Sequence, residues 1–273
     1  MDIYSAGEKC YSMGNRFNRN LQPEDKQMRF QNKTVVISGG ASGMGLLCGQ
    51  CYAKEGANVV LTDVNSDALN AAVESIRSEG GTAMGVVTDV RVYAQTEAAC
   101  NAAVQAYGSL DILVNCAGGA SSRIFGVNKL YHEYPVDVLD WGMQVNLMGP
   151  MYFTRAAMPQ MVKQKSGVII VMGSISGKEG SAYSVDYCTA KSALMNGFVQ
   201  SIAQSGAPYG IRACSVAPGP VLTRAAMAKM PTMMHRAAQP QEIVDLILYL
   251  TSDKASFITG TNYMIDGGVS RGW

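Results

Sequence analysis

From residue 32 onward, short unbroken apolar runs alternate with longer stretches of helical spacing. TVVISG (34–39), NVVLTDV (58–64), TAMGVVTDV (82–90) and LDILVNCAG (110–118) read as the first four strands. GVIIVMGS (167–174), IRACSVAPG (211–219) and TNYMIDGG (261–268) read as three more. Most are β-branched and do not alternate with polar residues, the pattern of strands buried on both faces. Helices are expected at 44–56, 66–80, VYAQTEAACNAAVQAYG, a long segment near 137–163, the segment around Tyr187, and 241–253. This order predicts an α/β fold, a doubly wound parallel sheet of about seven strands with helices on both faces. No repeat or linker breaks it, so residues 32–273 are taken as one domain. Residues 1–31 are polar, with a mixed-charge stretch QPEDKQMRF, and read as an extension before it.

Composition narrows the classes. The chain has 273 residues, with 22 Lys+Arg against 21 Asp+Glu. No basic tract stands out, so nucleic acid is not an expected partner. No apolar run reaches the ~18 residues that span a bilayer, and the N-terminus lacks the apolar core of a signal peptide. Seven cysteines, an odd number with no framework spacing, suggest a reducing cytosol and a cytoplasmic protein. Cys48 and Cys51 form a CxxC, but no second pair or histidine cluster accompanies it, so no metal is expected. Cys188 lies beside Tyr187 without the partners of a nucleophile.

The first expected strand runs into SGGASGMG and then a helix, with glycines at Gly39, Gly43 and Gly45. A loop this small lets the backbone approach a pyrophosphate, and the helix N-terminus offers it free N–H groups. Asp63 ends the second strand, 18 residues after Gly45. A carboxylate there can accept from ribose hydroxyls and repels a 2′-phosphate. No Arg or Lys occupies 40–44 or 62–66, so NAD is expected rather than NADP. Asp89, ending the third strand, is a candidate for the adenine edge, and also for a plain turn.

Tyr187 and Lys191 stand four residues apart, one helical turn, so phenol and ammonium share a helix face. A nearby cation lowers a tyrosine pKa, which suits Tyr187 as general acid and base at an alcohol oxygen. Ser174 precedes Tyr187 by thirteen residues.

Together SGGASGMG, Asp63, Asp89-Val90, NCAG (115–118), Asn146, Ser174, YCTAK (187–191), PGPVLT (218–223) and ITGTNYMIDGG resemble the short-chain dehydrogenase/reductase family. The resemblance covers about residues 32–268. It implies a Rossmann sheet and interconversion of a secondary alcohol and a ketone with NAD(H). It implies that Ser174 binds the substrate oxygen and Tyr187 moves the proton. Lys191 would depress the Tyr187 pKa and hold the nicotinamide ribose, and Asn146 would position a proton-relay water. It assigns cofactor contacts to Gly39, Ser42, Gly43, Met44, Gly45, Asp63, Asp89 and Val90. Asn115, Ala117, Gly118, Tyr187, Lys191, Pro218, Gly219, Val221 and Thr223 complete that set. It further implies a homotetramer, with a dimer as the fallback, built through 137–163, the Tyr187 helix and the last strand.

Two segments bear on the alcohol or ketone substrate. The connection 119–135 offers Arg123, Lys129, Tyr131 and His132, groups suited to a sugar, polyol or sugar acid. The short lid after Thr223 carries Met227, Met230, Met233 and Met234, suited to a steroid or other hydrophobic alcohol. The carbohydrate reading is preferred, the hydrophobic alcohol second and a 3-oxoacyl reductase third. A non-catalytic NAD sensor is disfavoured, because Asn146, Ser174, Tyr187 and Lys191 are all present.

Overall fold

In the computed structural model, residues 28–269 are described. Seven strands form one parallel sheet in the order β3-β2-β1-β4-β5-β6-β7. They are β1 Thr34–Ser38, β2 Asn58–Asp63, β3 Thr82–Val87, β4 Ile112–Asn115, β5 Gly167–Met172, β6 Ile211–Pro218 and β7 Thr261–Ile265. Side chains alternate across a strand, so successive residues of β1 enter different cores. Val35 and Ile37 pack on one face with Leu61, Tyr52 and Ile76. Val36 packs on the other with Leu113, Phe153 and Met161. Because both faces are covered, the middles of β1, β4 and β5 are unbroken apolar runs.

Three helices cover the first face: α1 Gly43–Lys54, α2 Ser66–Ser78 and, late in the chain, a helix at Pro240–Thr251. The other face carries α3 Tyr93–Tyr107 and two composite helices. The expected helix at 137–163 is α5 Val136–Met143 and α6 Gly149–Gln164, joined by a π turn at Gln144–Met148. Pro150 has no N–H to offer the Asn146 carbonyl. The ladder widens just before it, with the Gly149 N–H on the Gln144 carbonyl. The Tyr187 helix is likewise α8 Val185–Ala193, a π turn at Leu194–Phe198, and α9 Val199–Gly206. Short helices α4 Ser121–Ile124 and α7 Ser176–Glu179 follow β4 and β5, and Pro240–Thr251 is therefore α10.

Strand ends differ from the sequence reading. The third and fourth strands stop at Val87 and Asn115, short of 90 and 118, because there the chain leaves the sheet to line a cleft. β1 and β4 are neighbours whose crossovers run in opposite directions, and ligands gather at such a switch point. The folded body also reaches upstream of residue 32. Phe30 is buried and meets Tyr52 edge-on at 4.9 Å, and Arg29 pairs with Glu55 at 2.6 Å. A single phenylalanine among polar neighbours leaves no period to read. The rest of the expected extension lies outside the described residues. Among the described residues no helix is long and apolar enough to cross a membrane.

Candidate active site

The carboxyl ends of the strands open onto two adjoining cavities. One, of about 530 Å³, lies over the β1–α1 turn. Gly39, Ser42, Gly43, Met44 and Gly45 form its floor. A Cβ at Gly45 would stand 2.2 Å from the Gly39 carbonyl oxygen, so no other residue fits that crossing. Ser42 precedes α1 without a side-chain cap, and the first turn carries no acid. The helix therefore keeps its leading N–H groups and positive end for an anion.

Asp63, Asp89 and Val90 border the far end of this cleft, and Ala117 and Gly118 its other wall. Asp63 accepts from Ala41 N–H at 3.3 Å and Asn65 N–H at 3.1 Å, so it both shapes its turn and faces the cleft. Asp89 borders the cleft, as its expected adenine role requires, and is engaged by a neighbour as well. Its carboxylate grips the Arg91 guanidinium at 2.6–3.0 Å, which holds the acid below the usual carboxylate range. Asp89 is here the partner that neutralises Arg91. Arg91, Trp141 and Val145 border the cleft as well and were missed in the sequence, where no motif marks them. Asn115 does not reach it. It is buried beneath, its amide donating to the Ile170 carbonyl at 3.4 Å.

The second cavity, about 330 Å³, holds Ser174 and Tyr187 with Pro218, Gly219 and Val221. Thr223 and Met44 border both cavities, so the two are continuous at these residues. From the substrate segments, Arg123, Met227 and Met230 line this cavity, as does Arg224, which sequence reasoning did not single out. Lys129, Tyr131 and His132 do not line it, nor do the well-exposed Met233 and Met234.

Behind the cavity wall lie Lys191 and Asn146, both buried. The Asn146 amide donates to the carbonyls of Gly119 and Gly142, at 3.0 and 2.9 Å, and its oxygen accepts the Gly119 N–H at 2.9 Å. Both amide hydrogens are thus committed to protein, and the side chain clamps the chain leaving β4. A Cβ at Gly118 would meet the Asn146 oxygen at 2.7 Å and Lys191 Nζ at 3.5 Å, which brings the three residues into one corner.

Lys191, expected to bring Tyr187 towards neutrality, directs its ammonium to a backbone acceptor. Lys191 Nζ sits 5.5 Å from the Tyr187 ring centre and donates to the Met172 carbonyl at 2.7 Å. Burial pushes the phenol up, while the nearby Ser174 hydroxyl and the charges of Arg123 and Arg224 oppose the rise. Sharing a helix face did not bring the ammonium to the phenol oxygen, because a backbone acceptor captured it. Burial also lowers Lys191 itself, to about 8.

Cys48 of the CxxC is fully buried, and its thiol is raised by contact with Cys116 and by burial. The cysteines among the described residues are free. Burial raises the Cys188 thiol too.

A family model described as enoyl-(acyl carrier protein) reductase matches residues 39–270. A trans-4-hydroxycyclohexanecarboxylate dehydrogenase of Sinomonas cyclohexanicum is 38% identical over 89% of this chain and 95% of its own. A cyclopentanol dehydrogenase of Comamonas sp. is 34% identical over 88% of this chain and 98% of its own. The crystal structure of gox2181 superposes with a TM-score of 0.81 at 30% identity, over 88% of this chain and 96% of that one. The chain belongs to the short-chain dehydrogenase/reductase family, and it is an oxidoreductase acting on alcohols. The cradle at Gly45, the open α1 N-terminus and the acid at the end of β2 fit the nicotinamide dinucleotide that such enzymes use.

The lowered Lys191 pKa makes a stability prediction. The unfolded chain takes up the lysine proton below 10.5, but the folded chain only below about 8. Between these values the unfolded state binds more protons, so this residue's contribution to stability improves as pH rises. Chemical unfolding of wild type and Lys191→Met from pH 7 to 10.5 should show wild type gaining about 3 kcal/mol relative to the variant. A pH-independent difference would remove the burial penalty from Lys191.

Proposed function

We infer that the protein is an NAD-dependent dehydrogenase that interconverts a small alicyclic secondary alcohol and its ketone. The observation that carries the reaction is the juxtaposition of Ser174 and Tyr187 in a cavity continuous with the dinucleotide cleft. Bound in that cleft, the nicotinamide supplies the hydride chemistry. The chain's own residues orient the alcohol and manage the proton. Ser174 Oγ and the Tyr187 oxygen hold the reacting oxygen between them. In oxidation Tyr187 takes the hydroxyl proton, and in reduction it returns one.

NAD is favoured over NADP by Asp63 at the cleft and by the capture of Arg91 on Asp89, which leaves that guanidinium neutralised. The carbohydrate reading rested on four polar groups of 119–135, of which only Arg123 borders the cavity. Met227 and Met230 do border it. The named activities of the relatives on cyclopentanol and on a hydroxycyclohexane acid support an alicyclic substrate. The free cysteines support a reducing, cytoplasmic setting. A homotetramer is the assembly we propose, since β7 is an open sheet edge and Phe257 beside it is wholly exposed. Light scattering on the native protein should return four times the chain mass. A monomer removes the proposal.

NADH formation from cyclopentanol and substituted cyclohexanols tests the reading. Tyr187→Phe should lower kcat by about 100-fold or more and leave NAD affinity within about threefold, a change worth under ~0.7 kcal/mol. Because burial raises the phenol, Tyr187 is protonated at neutral pH. Ketone reduction should therefore proceed there, and alcohol oxidation should accelerate as pH rises. Persistent turnover in Tyr187→Phe would end the assignment.

Asp63→Ala should weaken NAD by about 10-fold or more, the worth of hydrogen bonds to a charged group, and shift preference towards NADP. Unchanged selectivity would take Asp63 out of that role.

A further inference from the structure

The cavity around Ser174 and Tyr187 carries an imbalance of charge. Arg123, from the segment after β4, and Arg224, from the lid after β6, both line it, and no Asp or Glu does. Neither guanidinium has a carboxylate partner among the described residues; the Arg224 side chain donates to the Met227 sulfur at 3.6 Å. Among the other arginines, Arg29, Arg91 and Arg236 are held by Glu55, Asp89 and Glu242, and Arg77 and Arg212 by backbone carbonyls. Two unanswered arginines at one small cavity indicate an anion supplied from outside. They do not line the dinucleotide cleft, so the cofactor's own phosphates are not that anion. Both also stand close enough to Tyr187 to favour its anion.

We propose that Arg123 and Arg224 form a clamp for a carboxylate arm of the substrate, so that the enzyme acts on hydroxy or oxo carboxylic acids. The proposal rests on Ser174 and Tyr187 marking the reacting end. A guanidinium offers parallel donors that match the planar carboxylate oxygens, with charge on both sides of the bond. The neighbouring Met227, Met230 and Pro220 are apolar and suit a hydrocarbon body between the carbinol and the acid. No carboxylate lines the cavity, so its acceptors for a substrate's hydroxyl hydrogens are neutral, among them the hydroxyls of Ser181, Ser184 and Thr223.

Equilibrium binding to the enzyme–NAD complex reads the clamp without turnover. Calorimetric titrations would compare cyclohexanecarboxylate with cyclohexanecarboxamide, which is of similar size but neutral. The expected result is a carboxylate Kd at least about tenfold below that of the amide, the scale of a charge-assisted hydrogen bond. Arg123→Gln and Arg224→Gln should each bring that ratio towards one, with NAD affinity and thermal stability measured alongside as controls on folding. The proposal is overturned by equal affinities in wild type, by no carboxylate binding, or by a ratio that survives both substitutions. Loss of NAD affinity in Arg224→Gln with the ratio intact also overturns it and assigns that arginine to the cofactor. Failure of the dehydrogenase reading is read separately: it appears as no NADH from any neutral or acidic alcohol, whatever the binding ratio.

Discussion

One buried amide holds the two halves of the site together. Asn146 sits where the helix over the second core face widens into a π turn, and it grips Gly119 from both sides while also holding Gly142. The chain leaving β4 must pass between the cleft and the substrate cavity, and this grip sets its path. Such a segment has no sheet ladder to fix it, so its backbone groups need other partners. Gly118 must lack a side chain for the approach to occur at all. Pro150 contributes by denying the helix a regular register in the turn that carries Asn146. Sheet, helix and loop thus meet at one side chain that borders neither cavity.

The charges of the site are arranged around that corner at some cost. An ammonium taken out of water is expensive unless it is held. Lys191 is held by the Met172 carbonyl, at the end of β5, so the helix that carries Tyr187 is fastened to the central sheet. That bond directs the Lys191 ammonium to a backbone acceptor. The acidity of the phenol is set by competing neighbours, burial on one side and the Ser174 hydroxyl with two arginines on the other. The two arginines that line the cavity therefore also act on the Tyr187 phenol, through the field they share.

Much of the architecture was legible because burial on both faces leaves unbroken apolar strands, as in Val35, Val36 and Ile37. The glycine turn was legible for a steric reason, since Gly45 crosses another peptide. What escaped notice depends on contacts between distant segments. Arg91, Trp141 and Arg224 enter the site from loops and a helix with no fixed spacing to the motifs. Phe30 joins the core singly, without a periodic partner. The two π turns leave no hydrophobic signature, because an added residue in a helical register is invisible until the helix packs. The Tyr187 environment was read incompletely for a related reason: spacing specifies a shared face, but only packing decides which acceptor an ammonium finds.

Asp186 shows how the same helix is tied on its other side. It is buried next to Tyr187, with one carboxylate oxygen accepting the Ser121 hydroxyl and the other without a partner. Ser121 in turn meets the Tyr134 hydroxyl at 3.0 Å. The chain joining Ser121 to Tyr134 belongs to the connection that carries Arg123. A half-satisfied buried carboxylate is destabilising in isolation. Its place in the first turn of α8 offsets part of that, because the helix end favours a negative charge. The arrangement makes sense as a mechanical link: moving the substrate-side segment would strip Asp186 of its hydroxyl donor and leave a bare carboxylate in the interior. Tyr187 follows directly in the chain, so this bond ties the start of its helix to the segment that bears Arg123.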